Sequence, residues 1–482
     1  MALAQLIATF ALMTLPAGFD DAPSVQRFKT WLSALNAGDR EALRRFHAEN
    51  ASKEGLERRS AEQRADMDTM MRDNTGGLEL DTIEKATDTE VIATARSKLT
   101  GSWVRITMEF EKDAPHGING LGLRRIPAPE GSRPKGKLTD EQVAKELSDF
   151  LDRLVAADAF SGTVLVAKDG KPFFEKAYGL ASRAYDVPNK LDTKFNLGSM
   201  NKMFTAVAIA QLAEQGKLSF DDKIGKYLPD FPVKDAAEKV TIHHLLTHTS
   251  GLGSYFNDEF MKSSRDRFRA VKDYFPLIEK EKLSFEPGAR FGYSNTGFLV
   301  LGAIVEKVSG QDYFDYVREH IYRPAGMANT DAFELDQDIP NLAVGYTRMG
   351  PGGRPLRGPR KNNVFLHVIK GGPAGGGYST AEDLLDFDRA LRSHKLLGPK
   401  MTDLVLAGKV EMGRGSDMKY AYGFGDERSG GHRFVGHGGG FPGISSKLDM
   451  DLTDGYTIVV LSNYDGGAEP VADKARDLIT RD

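Results

Sequence analysis

Between Met203 and Ala213 almost every position is apolar or small. A helix with no polar face is a buried one. Ala, Leu and Met favour the helix, and Gly216 stands where a glycine ends it. Ser199 and Lys202 stand at its head, three apart and so on one face. Upstream, Ser24–Leu35 and Asp39–Glu49 have the amphipathic helical period, with Asp39 as a cap. Leu78–Ile83, Glu90–Leu99 and Trp103–Glu111 alternate as strands do. Residues 22–126 are thus predicted to be a small α+β domain. The Pro-, Gly- and charge-rich stretch at 127–138 reads as a linker.

The pattern from 139 to 482 predicts a second domain. Thr139 and Gln142 have capping-box spacing and open a helix to about Ala156. Phe160–Lys168 and Lys171–Tyr178 flank Asp169-Gly170, a strong hairpin signal. Thr241 caps a helix that ends before Gly251, where His248 reads as a structural helix-end residue. An apolar helix spans Gly297–Val308. Ser379 with Glu382 caps another, after the glycine-rich loop Gly371–Gly377. Arg433–Gly436, Ser445–Asp451 and Tyr456–Asn463 read as strands, and Pro470–Ile479 as a closing helix. The expected sheet is antiparallel, pieced from both ends of the domain and flanked by helices, with a helical subdomain between.

Candidate chemistry begins at Ser199. A hydroxyl at a helix N-terminus feels the positive end of the dipole, which favours a developing oxyanion. A lysine entering a dry core loses solvation, so its pKa falls and it can act as a base. Together they form an activated nucleophile. S-x-x-K also occurs at Ser132/Lys135 and Ser416/Lys419, but only Ser199 heads a buried helix. His47 and His116 are isolated in the sequence, so the N-terminal domain is read as a binding or packing unit.

Composition narrows the classes. The 482 residues include 40% hydrophobic and 27% charged positions, which suits a large soluble core. Net charge is −4 with no long basic run, which argues against nucleic acid as a partner. With no cysteine, thiolate catalysis and Cys-based metal sites are excluded. The apolar run in residues 1–20 has signal-peptide length and is short for a bilayer span. The expected location is therefore periplasmic or secreted, or cytoplasmic if that run is not cleaved. No other stretch reads as transmembrane.

Three motifs then fall in order: Ser199-Met200-Asn201-Lys202, Tyr293-Ser294-Asn295 and His437-Gly438-Gly439. In order and spacing they resemble the serine β-lactamase and penicillin-binding-protein superfamily. H-T-S-G-L at His248 and E-P-G-A-R-F-G-Y-S-N at Glu286 are similar to its class C branch, which includes esterases and D-amino-acid peptidases. The resemblance covers about Thr139 to the C-terminus and implies a β-lactamase/transpeptidase-like fold that needs no metal or organic cofactor. The preceding domain loosely resembles the cone-shaped fold of the nuclear-transport-factor family.

The resemblance implies an acyl-enzyme on Ser199. Lys202 and Tyr293 would share the proton traffic, the ammonium lowering the phenol so that it can serve as general base and then return the proton to the leaving group. Asn295, His437, Gly438 and Gly439 would contact substrate, and the backbone N–H groups of Ser199 and Gly440 would form the oxyanion hole. A second Y-x-N, Tyr255-Phe256-Asn257, lacks the Pro-Gly turn before it. The departure is the third motif, where the family commonly has Lys-Thr-Gly. A mostly neutral imidazole and a glycine suit a substrate carboxylate less well. The expected substrates are therefore small esters, amides or D-amino-acid peptides. The alternatives are a β-lactamase or D-alanyl-D-alanine-type peptidase, and a silent scaffold. His437-Gly438-Gly439-Gly440 also matches a lipase oxyanion motif, with Gly377–Ala381 a near miss to the nucleophile elbow, but in the wrong order.

Overall fold

The computed structural model describes residues 22–129, 131–132, 134–350, 353–413 and 418–481. The apolar run at 1–20 and Ser416 lie outside the described residues. The described residues fall into two compact units, one within Met1–Pro134 and Pro351–Arg357 and the other within Lys135–Gly350 and Gly358–Asp482. No helix among the described residues is long and apolar enough to cross a membrane.

Among the described residues the first unit has four helices, α1 (Pro23–Ala37), α2 (Arg40–Asn50), α3 (Lys53–Arg58) and α4 (Ala61–Thr75). An antiparallel meander follows, β1 (Leu78–Ala86), β2 (Glu90–Ser97), β3 (Trp103–Phe110) and β4 (Ile118–Ile126). Asp39 caps α2, accepting from the Ala42 N–H at 2.9 Å. The pattern predicts only two of these helices and three of these strands. α4 buries only Ala65 and Asp68, so it has no apolar stripe to read, although Ser60 and Gln63 cap it reciprocally. β4 carries two glycines within I-N-G-L-G-L, which blurs its alternation. His47 is not isolated. It is 2% exposed, and its Nε2 lies 2.7 Å from Asp68 Oδ2, the oxygen that also accepts from Trp31 Nε1 at 2.9 Å. The pair is buried in the same unit as a core that includes Phe28, Trp31, Val91, Ile106 and Met108.

The second unit opens with α5 (Asp140–Ala156), its capping box at Thr139 and Gln142 formed in both directions. The hairpin β5 (Gly162–Lys168) and β6 (Lys171–Tyr178) turns at Asp169 and Gly170, whose φ values of 49° and 69° make the turn that matches strand twist. A helical middle contains α6 (Asn201–Glu214) and α7 (Asn295–Ser309), and α8 (Ala381–Arg392) follows the glycine-rich loop. Thr380, one residue after the expected Ser379, caps α8. Then come β7 (Val410–Glu411), β8 (Met418–Tyr420), β9 (Gly425–Ser429), β10 (His432–Phe441), β11 (Ile444–Asp451), β12 (Tyr456–Ser462) and α9 (Ala468–Ile479).

One antiparallel sheet of eight strands runs β7-β8-β9-β10-β11-β12-β5-β6, so the two ends of the domain meet where β12 pairs β5. β7 to β9 are two to five residues long, too short for an alternating signature. Successive strand residues face opposite sides. Ser446 points to the nucleophile side, where its Oγ donates to Leu197 O at 2.7 Å. Asp449 points to the other, where it accepts from Arg476 of α9 at 2.6 and 2.7 Å. α6 and α8 pack together through Phe204 and Phe387, with ring centroids 5.0 Å apart.

Candidate active site

α6 is buried on every side from Asn201 to Ala210, as its unbroken apolar run predicts. Ser199 lies just ahead of it, in the 3-10 turn Gly198–Met200. That turn is pressed against β10. Gly198 has φ +51°, and a Cβ there would stand 3.0 Å from the Gly440 nitrogen. A Cβ on Gly439 would stand 1.9 Å from Leu197 O, so no larger residue fits.

β10 loses its neighbour on one side halfway along. β9 pairs with it only from His432 to Gly436, leaving His437–Phe441 as a local edge. Pro442-Gly443 is a two-residue turn, so Phe441 and Ile444 are the hydrogen-bonded pair that closes it. Gly440 and Ser445 are then a non-hydrogen-bonded pair, and the Gly440 N–H points away from β11. Gly440 and Ser199 line the same cleft.

Lys202 is fully buried and bonded to Asn295 and Ala374, which line that cleft. Its Nζ donates to Asn295 Oδ1 at 2.9 Å and to the Ala374 carbonyl at 2.5 Å, and Ser199 Oγ lies 3.3 Å away. Burial pushes its pKa well below that of an ordinary lysine. A neutral amine has two N–H bonds and one lone pair. With both N–H groups spent on carbonyl oxygens, the lone pair is left for the Ser199 hydroxyl. Asn295, the first residue of α7, is held in turn by its Nδ2, which donates to Ser254 Oγ at 3.1 Å.

The Ala374 carbonyl is one of three in a row that read α6. Gly372 O accepts from Asn201 Nδ2 at 3.4 Å, and Pro373 O from Thr205 Oγ1 at 2.7 Å. The glycine-rich loop is visible in the sequence, but main-chain acceptors carry no residue signature, so this contribution is missed there.

The Tyr293 ring stands over Lys202, with Nζ 4.8 Å from its centroid. The residue is 42% exposed. Even so, loss of solvation pushes the phenol up to about 12, a hydrogen bond with Ser199 opposing it. This corrects the expectation that an ammonium lowers the phenol. Burial disfavours the ammonium, which weakens the charge that would stabilise a phenolate, and loss of solvation at the phenol dominates.

His437 has both ring nitrogens occupied. Nδ1 donates to Gly438 O at 2.5 Å, and Nε2 accepts from the Tyr420 hydroxyl at 3.0 Å. Burial, then the neighbouring Lys202, brings its pKa down to about 3. With Gly438 it lines a smaller cavity of about 80 Å³ rather than the cleft of about 260 Å³ at Ser199, and Tyr293 borders both. Gly439 faces the Leu197 carbonyl. Ser199, Lys202, Tyr293, Asn295 and Gly440 therefore converge, while His437, Gly438 and Gly439 shape the strand beside them.

Tyr255, Phe256, Tyr274, Val368, Phe441 and Ile444 wall the cleft, and no Asp, Glu, Lys or Arg is among the described residues that line it. Tyr255 and Phe256 come from the second Y-x-N, whose Asn257 caps a short helix by accepting from the Phe260 N–H at 3.0 Å. The other serines are differently placed. Ser132 Oγ donates to Pro129 O at 2.6 Å in an exposed turn. Ser379 is fully buried and bonded to Thr330 Oγ1 at 2.7 Å, which with the antiparallel sheet removes the lipase-type reading.

The model of the Beta-lactamase family matches residues 147–480. The chain belongs to that family. As a member it is a serine hydrolase with the β-lactamase/transpeptidase-like fold. It is 31% identical to penicillin-binding protein 4* of Bacillus subtilis over 67% of this chain and 73% of the relative. The crystal structure of a penicillin-binding protein from Bacillus halodurans matches with a TM-score of 0.61 and 33% identity. That match covers 71% of this chain and 100% of that one. A D-stereospecific amidohydrolase from Streptomyces sp. matches with a TM-score of 0.59 and 25% identity, over 70% and 98% of the two chains.

Proposed function

We propose that this serine hydrolase forms an acyl-enzyme on Ser199 with uncharged esters and small amides, amides of D-amino acids included. The observation that carries the mechanism is the hydrogen-bond balance at Lys202, whose two carbonyl acceptors leave a lone pair for Ser199. Ser199 Oγ attacks the substrate carbonyl carbon and gives its proton to Lys202 Nζ. The N–H groups of Ser199 and Gly440 take the oxyanion, and removing one such donor typically costs about 2.7–4 kcal/mol. As the C–O or C–N bond breaks, the Tyr293 hydroxyl protonates the leaving group and recovers a proton from Lys202. Water then repeats the sequence on the acyl-enzyme and restores Ser199.

A phenol pushed up to about 12 suits this role, since it stays protonated and able to donate. The uncharged aromatic walls of the cleft support an apolar acyl group. The Streptomyces neighbour, a D-stereospecific amidohydrolase, supports the inclusion of D-amino-acid amides. The test is labelling with a fluorophosphonate followed by peptide mapping, alongside turnover of an aryl ester and a D-amino-acid amide. Label confined to Ser199 is the expected result; label on another serine would overturn the assignment.

A further inference from the structure

His248 is buried completely, yet two features of it are unfavourable. Its φ is +56°, in the left-handed region that a residue with a side chain enters only under constraint. Its Nε2 is buried without a hydrogen-bond partner. Such outliers persist where surrounding structure imposes them, often beside a functional site. Here the surroundings are the segment that carries Tyr293.

His248 grips that segment on both sides of the tyrosine. Its carbonyl accepts from the Gly292 N–H at 2.8 Å, and its Nδ1 accepts from the Ser294 N–H at 3.1 Å. Between these bonds the imidazole packs against the Tyr293 ring, with centroids 4.2 Å apart. Phe298 and Tyr420 close around the imidazole at 5.1 and 4.6 Å. Because Nδ1 accepts, the proton of the neutral ring sits on Nε2, among these rings, which accounts for the unpartnered N–H. The left-handed backbone lets one residue offer both its carbonyl and its ring to the same short segment. The residues after His248 extend the grip. Gly253 O accepts from Ser294 Oγ at 2.9 Å, and Ser254 Oγ accepts from Asn295 Nδ2 at 3.1 Å.

We propose that His248 is a positioning residue, which holds the Tyr293 hydroxyl over Ser199 by gripping the backbone on both sides of Tyr293 and stacking against its ring. This rests on Tyr293 as proton donor to the leaving group. His248 is not among the described residues that line the cleft, so its effect passes through the Tyr293 segment.

The test is a double-mutant cycle read on two substrates. His248→Phe keeps a ring and loses the acceptor for Ser294. His248→Asn keeps an acceptor and suits a positive φ, but loses the ring. On an unactivated amide, His248→Phe is expected to lower kcat roughly 10- to 100-fold with little change in KM, the scale of a misplaced catalytic group. His248→Asn is expected to lose less, about three- to tenfold. In the acylation step with a nitrophenyl ester, whose leaving group needs no proton, both losses shrink. In a Tyr293→Phe background both losses vanish, because the group being positioned is gone. Losses of equal size in both backgrounds, or no loss from either variant, overturn the proposal. If His248→Phe does not fold, the Asn variant in the two backgrounds decides by the same criterion. Near-native amide turnover by Tyr293→Phe alone would instead sink the role of Tyr293, a separate outcome.

Discussion

Two buried bases, Lys202 and His437, share the first cause of a lowered pKa, loss of solvation. Their hydrogen bonding sets them apart. Every polar atom of the His437 ring is spoken for, Nδ1 by the next carbonyl and Nε2 by Tyr420. Lys202 has two acceptors for two N–H bonds and a lone pair left over, facing a nucleophile. Burial alone thus makes a neutral base. The count of partners makes one base available and the other inert, and both sit on rigid elements, so neither balance changes cheaply.

The comparison breaks most visibly at Lys202. Lys202→Ala and Ser199→Ala should each lower kcat/KM on esters by roughly 10⁴-fold or more, since groups that act as a unit fail together. The double variant should be hardly worse than either single one, and steady-state kinetics against a circular-dichroism check of folding decides it.

The next effect is at His437. With no free donor on that ring and no charged side chain among the described residues that line the Ser199 cleft, a substrate carboxylate finds no cationic partner in that cleft. A lost charge-assisted hydrogen bond is worth roughly 10- to 150-fold. Short-chain aryl esters should therefore exceed penicillins and cephalosporins in kcat/KM by at least about tenfold. Cephalosporin turnover equal to ester turnover would show that the carboxylate finds a partner after all.

A stability measurement sharpens the same contrast. The folded pKa of Lys202 is lowered, so between the folded and unfolded values the unfolded chain binds one more proton. On this account stability rises with pH between the folded and unfolded pKa values, by at most about 1.4 kcal/mol per pH unit. Lys202→Met removes that slope. Denaturant unfolding of both proteins across mildly alkaline pH should show the wild type gaining on the variant. Parallel curves would mean that Lys202 stays charged.

The smallest effect is expected from Tyr420→Phe. It strips His437 Nε2 of its donor and should cost stability of about 1–3 kcal/mol while changing ester kcat by less than about threefold. A large loss of turnover with intact folding would make His437 part of the chemistry.

How much of this was legible in the sequence follows from what kind of group does the work. Ser199, Lys202, Tyr293 and Asn295 are side chains in ordered motifs, and the apolar run after Lys202 announces its burial. The Ala374 carbonyl, which takes up one Lys202 N–H, is main chain and leaves no trace in residue identity. The direction of the Tyr293 shift runs against the sequence expectation for a related reason, because it depends on a neighbour whose charged form burial disfavours. In the fold, β5 and β12 stand out as long apolar runs. α4 is polar nearly all round, β4 is broken by glycines, and β7 to β9 are too short to show a period. His248 reads as a helix end, and only the three-dimensional path of Gly292–Ser294 around it reveals a second role.

The central claim is that Lys202 is already neutral in the resting enzyme and takes the Ser199 proton itself. The pH dependence of the acylation rate with an uncharged, activated ester tests it most directly. An amine that is neutral beforehand gives a rate that stays flat between about pH 8 and 10, where an ordinary lysine is losing its proton. A base that is an ordinary lysine, or the Tyr293 phenol held at about 12, gives a rate that climbs about tenfold per pH unit over the same range. The account predicts the flat profile; the climbing one would contradict it.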